Sequence, residues 1–256
     1  MKEALLAFCV SAVYDRLLQA GCEVIDMNLG PRLEAVAALA GTGRYKHGAD
    51  IGTDHAKLAI ELARRGICQR VIAADKNAGP CEAARRAISG ENLSEIVEVR
   101  QGDGLAALAP GEAELITIAG MGGGLMLSIL AAGRDVLVNN PKIILQPQTD
   151  IPEVRRRICR EGWKIADEAI AEENGHIYVV LAVDTAVASV EDLTDEQFVT
   201  GVFLQEKAPE LWKKYAEENI AKLRRAVAGM ERGKNAGASP EYVRQKHELT
   251  VWEMAL

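Results

Sequence analysis

Five short apolar runs in this chain each break off at a glycine or a polar residue, and helical patterns fill most of the gaps between them. Gly48–Ile51 carries Asp50 and turns at Gly52, Arg70–Ala74 ends before Asp75, and Ile96–Val99 leads into Gly102-Asp103-Gly104. Leu115–Ala119 is followed by Gly120-Met121-Gly122-Gly123-Gly124, and Lys142–Leu145 by Gln146-Pro147. Helical periodicity covers Ala56–Arg65 with a stop at Gly66, Pro80–Ser89 before Gly90, Leu125–Ala132 and Ile151–Arg160. Strands alternating with helices predict an α/β fold with a parallel, doubly wound sheet. Ligands of such sheets bind outside the carboxyl ends of the strands, beside the point where strand order reverses. Gly52 would let the backbone come close to a bound molecule, with Asp50 and Asp54 placing negative charge on either side.

The two ends of the chain depart from this alternation. Leu33, Val36, Ala37 and Ala40 predict a leading helix that stops near Gly41 and Gly43. Trp163–Ala171 and His176–Val183 read as two strands joined by Glu173-Asn174-Gly175, and Asn-Gly is a strong hairpin signal. Further on, Trp212, Ala216, Ile220, Leu223, Val227 and Met230 recur at heptad-like spacings. Gly233–Ser239 reads as a turn and Pro240–Met254 as a returning helix. The expected division is an extension over 1–26, a sheet domain over 27–186 and a small helical, coiled-coil-like C-terminal domain over 187–256. The apolar run Ala4–Val13 is too short to span a bilayer, and Glu3 in front of it speaks against a secretory signal.

A net charge of -7 gives no global basic field for nucleic acid, so any such contact has to be local. Two basic clusters qualify, Arg155-Arg156-Arg157 with Arg160, and Lys213-Lys214 with Lys222, Arg224 and Arg225. Each is either a solvated face or a contact to an RNA backbone. Five scattered cysteines without a CxxC pair and four dispersed histidines point to reduced, cytoplasmic thiols and no metal site.

The strand ends supply what a nucleoside ligand requires. Asp75, after the second strand, can accept from both ribose hydroxyls, and Asp103, after the third, from the exocyclic amine of adenine. The competing reading is that both aspartates only cap the helices that follow. No GxGxxG follows the first strand, so a pyrophosphate has no cradle there. A parallel sheet that finishes in an antiparallel hairpin resembles the Rossmann-like class I sheet of S-adenosylmethionine-dependent methyltransferases. A dehydrogenase domain ends in parallel strands instead.

Five motifs narrow the resemblance further. Asp50-Ile-Gly-Thr-Asp-His-Ala56, Asn77-Ala-Gly-Pro80, Arg100-Gln-Gly-Asp-Gly-Leu105, Ile118-Ala-Gly-Met-Gly-Gly123 and Leu145-Gln-Pro147 are together similar to the TrmK-type tRNA adenine-N1 methyltransferases. That resemblance covers Leu29 to Val183 and reaches the helical tail only loosely. It implies methyl transfer from S-adenosyl-L-methionine to N1 of adenine 22 in bacterial tRNA, leaving S-adenosyl-L-homocysteine, with no metal. The expected setting is the cytoplasm without a membrane, and a monomer is the favoured state, which the sequence leaves open. The cofactor would lie against Asp50, Gly52, Asp75, Asn77, Asp103, Gly104, Gly120, Met121 and Gly122. Asp54, His55 and Gln146 would face the acceptor, with Gln148 near the base edge. The chain departs from the family pattern at Lys57 and Ala59, where tyrosine and proline are usual, and at Gln148, where asparagine is. A methyltransferase of another RNA site or of a small molecule, and a catalytically silent cofactor- or RNA-binding module, fit the same residues.

Overall fold

The apolar runs become strands because they are buried from both sides, which favours continuous aliphatic stretches over alternating ones. In the computed structural model, which describes residues 29–186, 193–232 and 239–256, the strands are β1 (Tyr45–Ile51), β2 (Cys68–Asp75), β3 (Val97–Gln101), β4 (Leu115–Met121), β5 (Lys142–Pro147), β6 (Lys164–Glu173) and β7 (His176–Asp184). They form one seven-stranded sheet in the order β3-β2-β1-β4-β5-β7-β6. Strands β1 to β5 pair in parallel, and β7 runs antiparallel to both β5 and β6. At the hairpin tip Asn174 and Gly175 have φ of 53° and 75°. Two positive φ values in a two-residue loop make the type I′ turn that the Asn-Gly pair favours.

Helices cover both faces. On one side lie α1 (Gly30–Ala40), α2 (Lys57–Arg64) and α3 (Ala78–Gly90), whose Val36, Ile60 and Ile88 pack with Val71, Leu115, Ile144 and Val180. On the other, α4 (Gly123–Ala132) and α5 (Ile151–Arg160) place Met126, Leu130, Val154 and Ile158 against Ile116, Ile118, Ile143, Leu145 and Leu181. Neighbours such as Leu115 and Ile116, or Ile143 and Ile144, therefore serve opposite layers, as the two-residue strand period requires. Strands β4 and β5 run further than the apolar runs predict, because they stay paired out to Met121 and Pro147 through a register shift past Ala119.

The tail continues this second layer with α6 (Asp195–Thr200), α7 (Leu204–Lys207), α8 (Pro209–Glu231) and α9 (Pro240–Ala255). Along α8 the seam of Trp212, Ala216, Ile220, Leu223 and Val227 is buried, with Met230 at its partly exposed end. Trp212, Tyr215, Ile220 and Trp252 share one core with Ile118, Leu145 and Leu181. Trp252 stacks edge-on against Tyr215 at 5.5 Å, and Trp212 donates its indole N–H to the Thr200 carbonyl at 3.1 Å. The Ala4–Val13 run and the extension expected over 1–26 lie outside the described residues, as does all of the expected Gly233–Ser239 turn except Ser239.

A salt bridge joins the tail to the sheet. Arg155 on α5 and Glu168 on β6 both have fully buried side chains, and Arg155 Nε donates to Glu168 Oε1 at 2.7 Å. Arg155 Nη1 donates to the carbonyls of Phe198 (3.0 Å) and Val199 (3.3 Å), while Glu168 Oε2 accepts from the N–H of Val202 (2.5 Å) and Phe203 (3.1 Å). This overturns the reading of Arg155 as part of a basic RNA-facing surface. A helix turns about 100° per residue, so Arg155 faces the core while its sequence neighbours face outward. Arg156, Arg157 and Arg160 are in turn paired with Asp195, Glu161 and Glu153. On α8, Lys214 and Arg224 are paired with Glu172 and Glu253, whereas exposed Lys213, Lys222 and Arg225 have no ion-pair partner among the described residues.

Removing one member of a buried pair strands the other charge, at a cost of about 3–5 kcal/mol. Arg155→Ala is therefore expected to lower the unfolding free energy by about that amount, and Arg155→Met with Glu168→Leu to recover most of it. Urea denaturation would measure both; a single variant within about 1 kcal/mol of the parent would refute the assignment.

Candidate functional site

Strand order reverses between β1 and β4, and the sequence places glycines on both sides of that point. Gly52, just past β1, has φ of 77°, and a Cβ there would sit 1.9 Å from Met121 Cε at the end of β4. That positive φ is the conformation that favours glycine here. The N–H groups of Gly52 and Thr53 both donate to the Ala74 carbonyl, at 2.8 and 3.0 Å, which fixes the turn against β2. Below it, Asp50 is buried in register with Thr117, whose hydroxyl donates to Asp50 Oδ1 at 2.9 Å. Burial pushes the Asp50 carboxyl above the usual aspartate range, and the Thr117 hydrogen bond offsets part of that rise.

Beyond the turn the chain opens to solvent. Asp54 and His55 have side chains 88% and 60% exposed and lie 3.3 Å apart. His55 and Ala56 both adopt left-handed backbone, with φ of 56° and 54°. Residues with side chains rarely do so, and such strain gathers at functional sites.

At the ends of β2 and β3 each aspartate keeps one carboxylate oxygen without a partner among the described residues. Asp75 Oδ1 accepts from the Asn77 N–H at 2.8 Å and from Asn77 Nδ2 at 3.2 Å, leaving Oδ2 without a partner among the described residues. The N-cap position of α3 is Asn77, not Asp75, so Asp75 is not a helix cap. Asp103 does precede a 3₁₀ turn (Gly104–Ala107), yet its side chain makes no cap bond there. It is 75% exposed and meets Lys76 Nζ at 3.4 Å. Gly104, with φ of 57°, packs so closely on Ile129 that a Cβ would come within 2.9 Å of it.

The ends of β4 and β5 form the opposite wall around one buried side chain. Gln146 Oε1 accepts from the Gly120 N–H at 3.1 Å and from Arg32 Nη1 at 3.0 Å, while Gln146 Nε2 donates to the Pro147 carbonyl at 3.1 Å. Gly120 has φ of 76°, and a Cβ there would face Arg32 Nη1 at 3.5 Å and Gln148 Nε2 at 4.0 Å. The Arg32 guanidinium lies over the Tyr178 ring, 5.7 Å from its centroid. Gly122 occupies the N-cap position of α4, and the Gly123 N–H donates to Thr149 Oγ1 at 3.3 Å. Arg32 and Tyr178 escaped the reading of the sequence. They lie on α1 and β7, in stretches whose apolar periodicity marks them only as elements. Among the described residues no group of three or more His, Cys, Asp or Glu could hold a metal ion, and no helix is long and apolar enough to cross a membrane.

Residues 48–251 match the family model described as TrmK: tRNA (adenine(22)-N(1))-methyltransferase. The chain is 38% identical over 159 residues to the tRNA (adenine(22)-N(1))-methyltransferase of Bacillus subtilis, an alignment covering 62% of this chain and 66% of that enzyme. It thus spans slightly under two thirds of that relative. The crystal structure of the B. subtilis M1A22 tRNA methyltransferase TrmK superposes with a TM-score of 0.79 at 28% identity, over 90% of this chain and 99% of that one. Sp1610 from Streptococcus pneumoniae, solved in complex with S-adenosyl-L-methionine, gives a TM-score of 0.71 at 30% identity, over 87% and 97% of the two chains.

The buried carboxyl at the centre of the site has a measurable signature. Its titration is raised in the folded state, so it favours folding fully below the unfolded aspartate value of about 3.9, and that contribution is lost as pH rises through the folded value. The stability of the parent relative to Asp50→Asn is expected to fall across that window and then level off. Urea midpoints compared from about pH 3 to about pH 8 test this, and a constant difference would contradict it.

Proposed function

The chain belongs to the TrmK family of tRNA (adenine(22)-N(1))-methyltransferases, and on that premise we propose that it transfers a methyl group from S-adenosyl-L-methionine to N1 of adenine 22 in tRNA. The observation that carries the reading is the pair of carboxylates Asp75, with Oδ2 open, and Asp103, exposed and met only by Lys76, near the glycine-lined strand-order switch. The cofactor fits this donor set. Asp75 Oδ2 is available to both ribose hydroxyls, with Asn77 holding the other oxygen in place, and Asp103 suits the adenine amine. Gly52, Gly104, Gly120, Met121 and Gly122 are assigned to line the place of the methionine portion, above buried Asp50. S-Adenosyl-L-methionine supplies, when bound, an activated methyl group on a sulfonium and leaves as S-adenosyl-L-homocysteine.

Adenine N1 is a neutral nucleophile with an in-plane lone pair, so the residues mainly align it and exclude water. Positive charge develops on the ring, and an acceptor at the exocyclic amine stabilises it or takes a proton. Asp54, paired with His55 on a strained and exposed turn beside the crevice, is assigned that role. Gln146 is assigned a positioning role, since it is buried and its oxygen already ties Gly120 to Arg32. Extrusion of the target base makes N1 accessible, and Lys222 and Arg225, three residues apart on α8, offer local positive charge for the tRNA backbone. The enzyme works in the cytoplasm, where its tRNA substrate is.

Labelled methyl transfer to unmodified transcripts carrying A or G at position 22 tests the reading. Label on the A transcript alone is expected; label on both would displace the site, and label on neither would remove the activity. Asp54→Ala is expected to lower kcat by about 100-fold or more with unchanged affinity for S-adenosyl-L-homocysteine. Full turnover in that variant would remove Asp54 from the chemistry.

A further inference from the structure

We propose that Arg32 is an oxyanion receptor in the wall of the acceptor crevice, an inference that rests on the methyl-transfer reading of this site. Among the described residues, five other arginines are buried or partly buried: Arg64, Arg65, Arg100, Arg155 and Arg156. Every one of them pairs with a carboxylate. Arg32 is partly buried and has none. Glu173, on the adjoining hairpin, uses its Oε2 to accept the Arg32 backbone N–H at 2.9 Å instead. A guanidinium stays charged at any physiological pH, and holding that charge partly out of water without a counter-charge is unfavourable. An anion supplied by a ligand removes the penalty.

The geometry leaves one edge of the group for that anion. Nη1 is anchored on Gln146 Oε1 at 3.0 Å, and the ring of Tyr178 covers one face. Nε and Nη2 have no partner among the described residues. Two parallel N–H donors on a rigid plane match two oxygens of a carboxylate or phosphate. Gly120, whose added Cβ would lie 3.5 Å from Nη1, sets the guanidinium beside the end of β4. A base edge is the wrong ligand for it, because the methylated ring becomes cationic and a guanidinium would oppose that charge.

Two oxyanions belong to the proposed reaction: the carboxylate of the cofactor's methionine portion and a phosphate of the tRNA. Arg32→Gln and Arg32→Lys in the full chain separate them. Calorimetry would compare S-adenosyl-L-homocysteine with 5′-methylthioadenosine, which lacks the amino-acid portion. Steady-state kinetics would follow KM for tRNA against potassium chloride concentration. If the carboxylate is the ligand, Arg32→Gln weakens S-adenosyl-L-homocysteine by about tenfold or more and leaves methylthioadenosine unchanged. If a phosphate is the ligand, cofactor affinity holds, KM for tRNA rises, and the log–log salt slope falls by about one. Arg32→Lys, which keeps the charge but loses the fork, should fall between parent and Arg32→Gln. Equal loss of both nucleosides with an unchanged salt slope would mean that Arg32 only supports the wall, and overturns the proposal. So does a variant that behaves as the parent. The calorimetric arm needs no turnover, so failure of the tRNA reaction in the parent chain is read separately from failure at Arg32.

Discussion

Parallel pairing of β1 with β4 is the constraint from which the rest of the architecture follows. The chain lays β1, β2 and β3 outward in one direction and then returns to build β4, β5, β7 and β6 in the other. Connections leaving β1 and β4 therefore diverge to opposite faces, and the gap between their carboxyl ends has no chain crossing it. Gly52, with its positive φ, turns the chain at the β1 side of that gap, and the Met121 side chain at the end of β4 lies against it. Asp50 and Thr117 sit in register one step below, so the polar pair under the crevice is a product of the same alignment.

The tail is held to this sheet by a different kind of force. Its tryptophans and Ile220 extend the core beneath α4 and α5, and burial there is non-directional. Direction comes from Arg155 and Glu168, which pair with each other and with backbone groups of the segment from Phe198 to Phe203. A pair with so many fixed partners admits one docking position. The tail is thus part of the packed molecule, whose long α8 carries exposed Lys213, Lys222 and Arg225.

Charge is spent unevenly in this protein. Most arginines shielded from water are neutralised within the fold, often by two carboxylates, as Arg65 is by Glu34 and Glu61. At the carboxyl edge the pattern inverts: Asp75 keeps an oxygen open, Asp103 is loosely met by Lys76, and Arg32 has no carboxylate at all. Unsatisfied charge and left-handed backbone at His55, Ala56 and Asp150 occur together along that edge. Charged groups left open along one edge are groups that a ligand can complete.

The sequence by itself determined the elements and their order, because periodicity and turn chemistry are local. The bounds of α5 fall where the pattern puts them, the Asn174-Gly175 turn is of the expected type, and the glycines of the switch point stand at the expected strand ends. Asp75 and Gly120 stand out for the same reason, each directly following an apolar run, while Asp50 is carried within one and Asp103 stands in the glycine turn beyond another. Tertiary structure alone decided which way a charged side chain faces and what it meets. Arg155 reads in sequence like Arg156 and Arg157, yet only it turns into the core, where Glu168 awaits it. Arg32 and Gln146 are 114 residues apart, and no local pattern announces that one will hold the other. Long-range pairing of polar groups depends on how the layers stack, and that is set by the packing of the whole chain.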